Sequence, residues 1–261
     1  MRNRRLAIAG LALVAALGLT GCGPSGTSTG GSGSAPAAQS TKPVDPAAEL
    51  AAAATKLSTE SLKIKMKSAA GLSVDGASSV GGEQMQMKMT LGVGGSEDTT
   101  MTMRKVGNDV YIKMDGALGS ALGAKADKWM HVDASTIPEG SPFSISGGGP
   151  TDASKMIAAT QKVEKTGEGS YKGVLDMTKT PNSNDKALEA LGAKAKAVPF
   201  TAKTDAEGRL TELAIDTESL MAGAGKMTTT YYDFGTPVSV KAPPAKDVQE
   251  MPKSMLGAAN A

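Results

Sequence analysis

Leu62-Lys63-Ile64-Lys65-Met66-Lys67 alternates an apolar side chain with a lysine at every step. A backbone with a two-residue period puts Leu62, Ile64 and Met66 on one face and three ammonium groups on the other, so the segment predicts a half-buried β-strand. The same period returns in Met85-Gln86-Met87-Lys88-Met89-Thr90-Leu91-Gly92-Val93 and in Thr100-Met101-Thr102-Met103-Arg104, and Gly94-Gly95-Ser96 between them reads as a hairpin loop. Residues 106–114, with Gly107-Asn108-Asp109 as a turn, and 128–132 extend the pattern. Later strands are expected over 161–165, 171–177, 198–204, 209–216 and 227–234, with a turn at Asp205-Ala206-Glu207-Gly208 and a short last strand over 238–240.

Helical signals are fewer. Asp45-Pro46 reads as an N-cap followed by Pro at the first helical position, with an alanine-rich helix over 47–57 behind it. Thr151 or Asp152 caps a short helix reaching about 160, and 184–191 reads as another, ended by Gly192; 141–150 is a Gly/Pro-rich loop. Antiparallel strands with one apolar face need a cover, and three modest helices must supply it. The expected fold is therefore α+β: a strongly curved antiparallel sheet, a half-barrel of about ten strands, wrapped over one long and two short helices.

The N-terminus carries a different message. Arg2, Arg4 and Arg5 precede an apolar run over 6–19, the order of a secretory signal and too short for a comfortable transmembrane helix. The run ends in Leu19-Thr20-Gly21-Cys22, which resembles the lipobox of bacterial lipoproteins; that likeness implies acylation of Cys22 and a mature chain anchored on the outer face of the cell membrane. The bland alternative is a secreted protein with a stray thiol. Residues 1–21 are then signal peptide, 22–44 the lipidated cysteine and a Gly/Ser/Pro tether, 45–250 one domain, and 251–261 a frayed tail. Twenty tether residues reach about 25 Å by square-root scaling.

Removing Arg2, Arg4 and Arg5 with the signal leaves 25 basic against 26 acidic residues, so the basic balance of the full chain belongs to its leader. A near-neutral chain without a Lys/Arg block gives no support for nucleic-acid binding. With one cysteine, no intrachain disulfide is possible, and burial must hold the fold. Fifteen methionines against three Phe, four Tyr and one Trp make an adaptable, loosely specified apolar interior.

No catalytic site is expected. His131 is the only histidine, two residues from Trp129 on the same strand face, and the chain has no Gly-x-Ser-x-Gly elbow joining a strand to a helix and no His-containing metal spacing. Gly167-Glu168-Gly169-Ser170-Tyr171-Lys172-Gly173 has one residue too many for a dinucleotide fingerprint, and Gly225-Lys226 lacks the rest of a P-loop. No cofactor or metal is called for. Met85, Met87, Met89, Met101 and Met103 fit three roles: plain core, the lining of an apolar cavity, or thioether ligands to Cu(I). Lys63, Lys65 and Lys67 read as a solvated face, with anionic headgroups as the sharper alternative.

A resemblance covers most of the mature chain. Residues 198–210, Val-Pro-Phe-Thr-Ala-Lys-Thr-Asp-Ala-Glu-Gly-Arg-Leu, with Tyr231-Tyr232-Asp233-Phe234-Gly235-Thr236-Pro237 and the strand after it, look like the closing strands of actinobacterial envelope lipoproteins of the LppX/LprA/LprF/LprG type. Gly107-Asn108-Asp109-Val110-Tyr111-Ile112 and Asp127-Lys128-Trp129 are similar to that family's middle strands. The likeness implies a LolA/LolB-like half-barrel carrying acylated lipids or glycolipids in an apolar cavity, a monomer with the membrane and a membrane transporter as partners. Cavity candidates are Leu62, Ile64, Met66, Met85, Met87, Met89, Leu91, Met101, Met103, Val198, Phe200, Leu213 and Ile215. The methionine density departs from the better-known members. Transfer of an acyl chain from water gains about 0.8 kcal/mol per CH₂, about 10 kcal/mol for a 16-carbon chain before association costs. The competing expectation is an envelope interaction or sensory lipoprotein with a filled core.

Overall fold

Asp45 starts the first helix as its chemistry dictates. In the computed structural model of the chain, which describes residues 45–92, 98–116, 127–137, 152–180 and 185–252, α1 spans Pro46–Lys56 and Asp45 Oδ1 accepts a hydrogen bond from Ala47 N at 3.1 Å. That satisfies a backbone donor that the helix leaves unpaired, while Pro46 has none to satisfy. Helices α2 (Asp152–Ala158) and α3 (Asp185–Leu191) are shorter. Gly192 ends α3 at φ +54, a left-handed conformation cheap only without a Cβ.

Among the described residues twelve strands form one sheet: β1 Leu62–Ser68, β2 Leu72–Ser78, β3 Gln84–Leu91, β4 Thr99–Val106, β5 Asp109–Asp115, β6 Trp129–Asp133, β7 Thr160–Gly167, β8 Ser170–Leu175, β9 Val198–Thr204, β10 Leu210–Asp216, β11 Lys226–Tyr232 and β12 Val248–Glu250. Their order is β12-β6-β5-β4-β3-β2-β1-β11-β10-β9-β8-β7. Every neighbouring pair is antiparallel except β12 with β6, and the edge strands β7 and β12 do not pair, so the sheet is not closed into a barrel. The fold is α+β, a mostly antiparallel curved sheet over a few helices, with two strands that the sequence reading did not place.

Those two are β2 and β12. Strand β2, Leu-Ser-Val-Asp-Gly-Ala-Ser, is too poor in large apolar residues to announce itself, yet it sits between β1 and β3 with Val74 opposite both Met66 and Met89. Its neighbours supply the packing that its own side chains lack. The expected strand over 238–240 is not one. That stretch belongs to a strap over 233–247: Ser61 Oγ donates to Thr236 O, Val240 N to Gln84 Oε1, Arg104 Nη1 to Lys241 O and Lys128 Nζ to Lys246 O. Gln84 and Arg104 belong to β3 and β4, interior strands whose two edges are already paired, so Val240 and Lys241 meet side chains and not a free strand edge. The strap crosses to the far side of the sheet and ends in β12, the parallel partner of β6.

Met251, which the sequence assigns to a frayed tail, is anchored instead. Its N–H donates to His131 O at 2.8 Å and its side chain is buried beside Val110, Ile112, Met130 and Val132. The signal peptide, Cys22, the tether, the 94–96 loop and the 141–150 loop lie outside the described residues.

Among the described residues, buried side chains form two hydrophobic clusters. The larger joins Leu50, Ala53, Ala54 and Leu57 at α1, and Ala153 and Ile157 of α2, to Leu62 and Ile64 of β1 and to the inward residues of β8–β11. The smaller joins β5 and β6. Helix α3 packs beside the short 3-10 turns at Met177–Lys179 and Gly192–Lys196.

Candidate functional site

Strand register builds an apolar surface between the two clusters. Opposed residues of an antiparallel pair share a face. One row therefore runs Tyr231, Ile64, Gly76, Met87, Met103, Ile112, Met130, and the next runs Met66, Val74, Met89, Met101, Met114. Met87 stands directly opposite Met103, and Met89 opposite Met101. The alternation seen in the sequence thus brings the methionines together on one face, as a single-face strand must.

The thirteen candidate residues divide. Leu62, Ile64, Val198, Phe200, Leu213 and Ile215 belong to the larger cluster, under α1 and α2. Met85 is buried at the start of β3, and Leu91 at its end is 38% exposed. Met66, Met87, Met89, Met101 and Met103 are half-buried, and of these Met101 and Met103 lean on the smaller cluster. Four inter-strand steps separate Ile64 in one cluster from Ile112 in the other, about 19 Å at the usual strand spacing.

A roomier cleft lies elsewhere. It is open, about 680 Å³, between one side of α1 (Ala48, Glu49, Ala52, Ala53, Lys56) and the turns that join β7 to β8 and β9 to β10. None of the thirteen candidates lines it. Glu49 Oε2 on its wall accepts from Lys165 Nζ at 2.8 Å and from Tyr171 Oη at 2.9 Å. Those two hydrogen bonds hold the Glu49 carboxyl below the usual carboxylate range, while burial and the same carboxylate raise the Tyr171 phenol. Sequence reasoning missed this trio because 116 and 122 residues separate the partners. A second cleft, about 360 Å³, opens over β2 and is bordered by Met87; a third, about 80 Å³, is bordered by Phe200.

On the opposite face, His131 stands between two carboxylates, Nε2 at 2.8 Å from Asp109 Oδ1 and Nδ1 at 3.0 Å from Glu250 Oε1. Tyr111 packs on the imidazole, with ring centroids 5.2 Å apart. Both ring nitrogens are engaged, which leaves neither to activate a nucleophile. Arg104 lies over Trp129 at 4.6 Å, so the shared face of Trp129 and His131 carries a cation and a clasp. In the lysine stripe, Lys63 pairs with Asp233 at 2.8 Å and Lys65 with Asp75 at 3.6 Å. Among the described residues no cluster of His, Cys, Asp and Glu has the makings of a metal site, and no helix is long and apolar enough to cross a membrane. Protein-family models give no match to the chain, and neither do the curated proteins.

Proposed function

We propose that the protein is a membrane-anchored lipoprotein that binds acylated lipids along the methionine face of its sheet. The observation that carries this is the split interior: two separate clusters, and between them Met66, Met87, Met89, Met101 and Met103, half-buried on one continuous face. Flexible, polarisable side chains in such a position adapt to a hydrocarbon chain without dictating its identity. The likeness to the LppX/LprG type and the lipobox at Cys22 supply the direction: an acyl ligand, a lipid anchor and an outward-facing location.

The test is native mass spectrometry of protein purified without detergent, followed by titration with a fluorescent fatty acid. Lipid should co-purify, and Met87→Lys with Met103→Lys should abolish fatty-acid binding while the circular dichroism spectrum stays unchanged. Absence of both co-purified lipid and fatty-acid binding overturns the reading. The filled cluster under α1 and α2, which takes up six of the thirteen candidates, favours the second reading in that event: a solid-cored envelope protein that docks a membrane partner.

A further inference from the structure

The face opposite the methionines carries a groove of its own. Cross-strand rows Lys63, Ala77, Gln86, Arg104 and Lys65, Asp75, Lys88, Thr102 place these residues side by side on that face. Ala77 is short and stands between the long side chains of Lys63 and Gln86. The step in height opens the 360 Å³ cleft, bordered also by Tyr232.

Its charges are unevenly committed. Lys63 is held by Asp233 and Lys65 by Asp75. Lys88 makes no ion pair among the described residues. Arg104 is fixed over Trp129, and Nη1 donates to Lys241 O at 3.3 Å. One of its five N–H donors is thereby used, and its side chain is placed in advance, which lowers the ordering cost of a ligand contact. Lys88 and Arg104 are diagonal neighbours on adjacent strands, about 7–8 Å apart at the backbone. Gln86 faces Arg104 and Thr102 faces Lys88, adding two neutral donors.

We propose that this groove binds a phosphoryl anion, with Arg104 and Lys88 as its charged partners and Gln86 and Thr102 as hydrogen-bond donors. A phosphoryl group offers three oxygens and more negative charge than a carboxylate, and so suits donors spread over two cross-strand pairs with two cations among them. Arginine reads such a group as a fork and lysine as a point charge. The ligand is a phosphate ester, whether free or the headgroup of a phospholipid. Binding here is independent of the methionine face.

The test is an amide NMR titration of the full chain with sodium phosphate, and with sodium acetate at matched ionic strength. Phosphate should shift the amides of β3 and β4 around Lys88 and Arg104 and saturate in the millimolar range, and K88Q/R104Q should weaken it roughly tenfold or more. The charge control K194Q/K196Q should leave it unchanged, and unshifted amides elsewhere report an intact fold. Equal shifts with acetate, or undiminished phosphate binding by K88Q/R104Q, overturn the proposal. Competition by phosphatidylglycerol vesicles, but not by phosphatidylcholine vesicles, assigns the site to a lipid headgroup; no competition assigns it to a soluble phosphate ester. Neither result depends on whether acyl lipid co-purifies.

Discussion

Glu250 and His131 are joined twice, by backbone and by side chain. Their Cα atoms are partners in the parallel pairing of β12 with β6, and Glu250 Oε1 lies 3.0 Å from His131 Nδ1. Strand β12 has only three residues. The side-chain clasp adds to the hold that Met251 has on this short edge through its buried side chain and its N–H to His131 O.

That clasp is pH-dependent. Burial lowers the His131 pKa, but the hydrogen bonds and charges of Asp109 and Glu250 outweigh it and raise the pKa above its ordinary 6.5. A group raised on folding contributes stability that is full below its unfolded pKa and is lost as pH rises through the folded one. The stability difference between the protein and His131→Gln should therefore be greatest below about pH 6.5 and shrink above the folded value. Denaturant melts across pH, with the imidazole titration followed by NMR, check this; a difference that grows with pH would refute it.

Arg209 ties three distant pieces together. Its Nε donates to Asp205 Oδ2 at 2.7 Å, Nη2 lies 3.2 Å from Glu207 Oε2, Nη1 lies 3.4 Å from Glu60 Oε2, and the guanidinium covers the Phe234 ring at 4.5 Å. Hydrogen bonds to charged groups and a partly buried cation–π contact together suggest that Arg209→Ala costs roughly 2–3 kcal/mol. Arg209→Lys should recover only part, since an ammonium cannot reproduce the fork. Chemical denaturation of both variants measures the difference.

Gly173 is glycine because of Phe200. The two are cross-strand partners, and a Cβ on Gly173 would meet Phe200 Cε1 at 2.8 Å and Gln161 O at 3.0 Å. Gly173→Ala should cost about 1–3 kcal/mol as overpacking. Phe200→Leu in the same chain should relieve the clash, so the double variant will be less destabilised than the two single losses summed, which a double-mutant cycle reads directly.

Core and face should respond differently to methyl-scale changes. Leu50, fully buried in α1, should lose about 2–5 kcal/mol on truncation to alanine. Met101→Leu on the half-buried face should cost less than about 1.5 kcal/mol. Thermal melts of the two variants separate them, and a larger loss at Met101 would place that residue in a rigid core.

Alternation of lysine with Leu62, Ile64 and Met66, and of methionine with polar residues in β3 and β4, was enough to assign those strands and their inner faces. The Asp45-Pro46 signal gave the start of α1, and the glycine at 192 gave the end of α3, because each acts within a turn or two of chain. Strand β2 escaped because Ser73, Asp75, Gly76 and Ala77 borrow their packing from the strands on either side. Likewise, nothing near Glu250 announces a partner 119 residues away.

Local periodicity, then, determined which residues form strands and which side of each is apolar, since both follow from a two-residue repeat. Only the tertiary structure decided that the methionines lie between two cores, that the C-terminal segment straps the sheet and adds a parallel strand at one edge, and that Arg104 and Lys88 flank one groove. Those relations depend on which strand edges meet, and pairing across a hundred residues is set by the whole sheet and not by any segment of it.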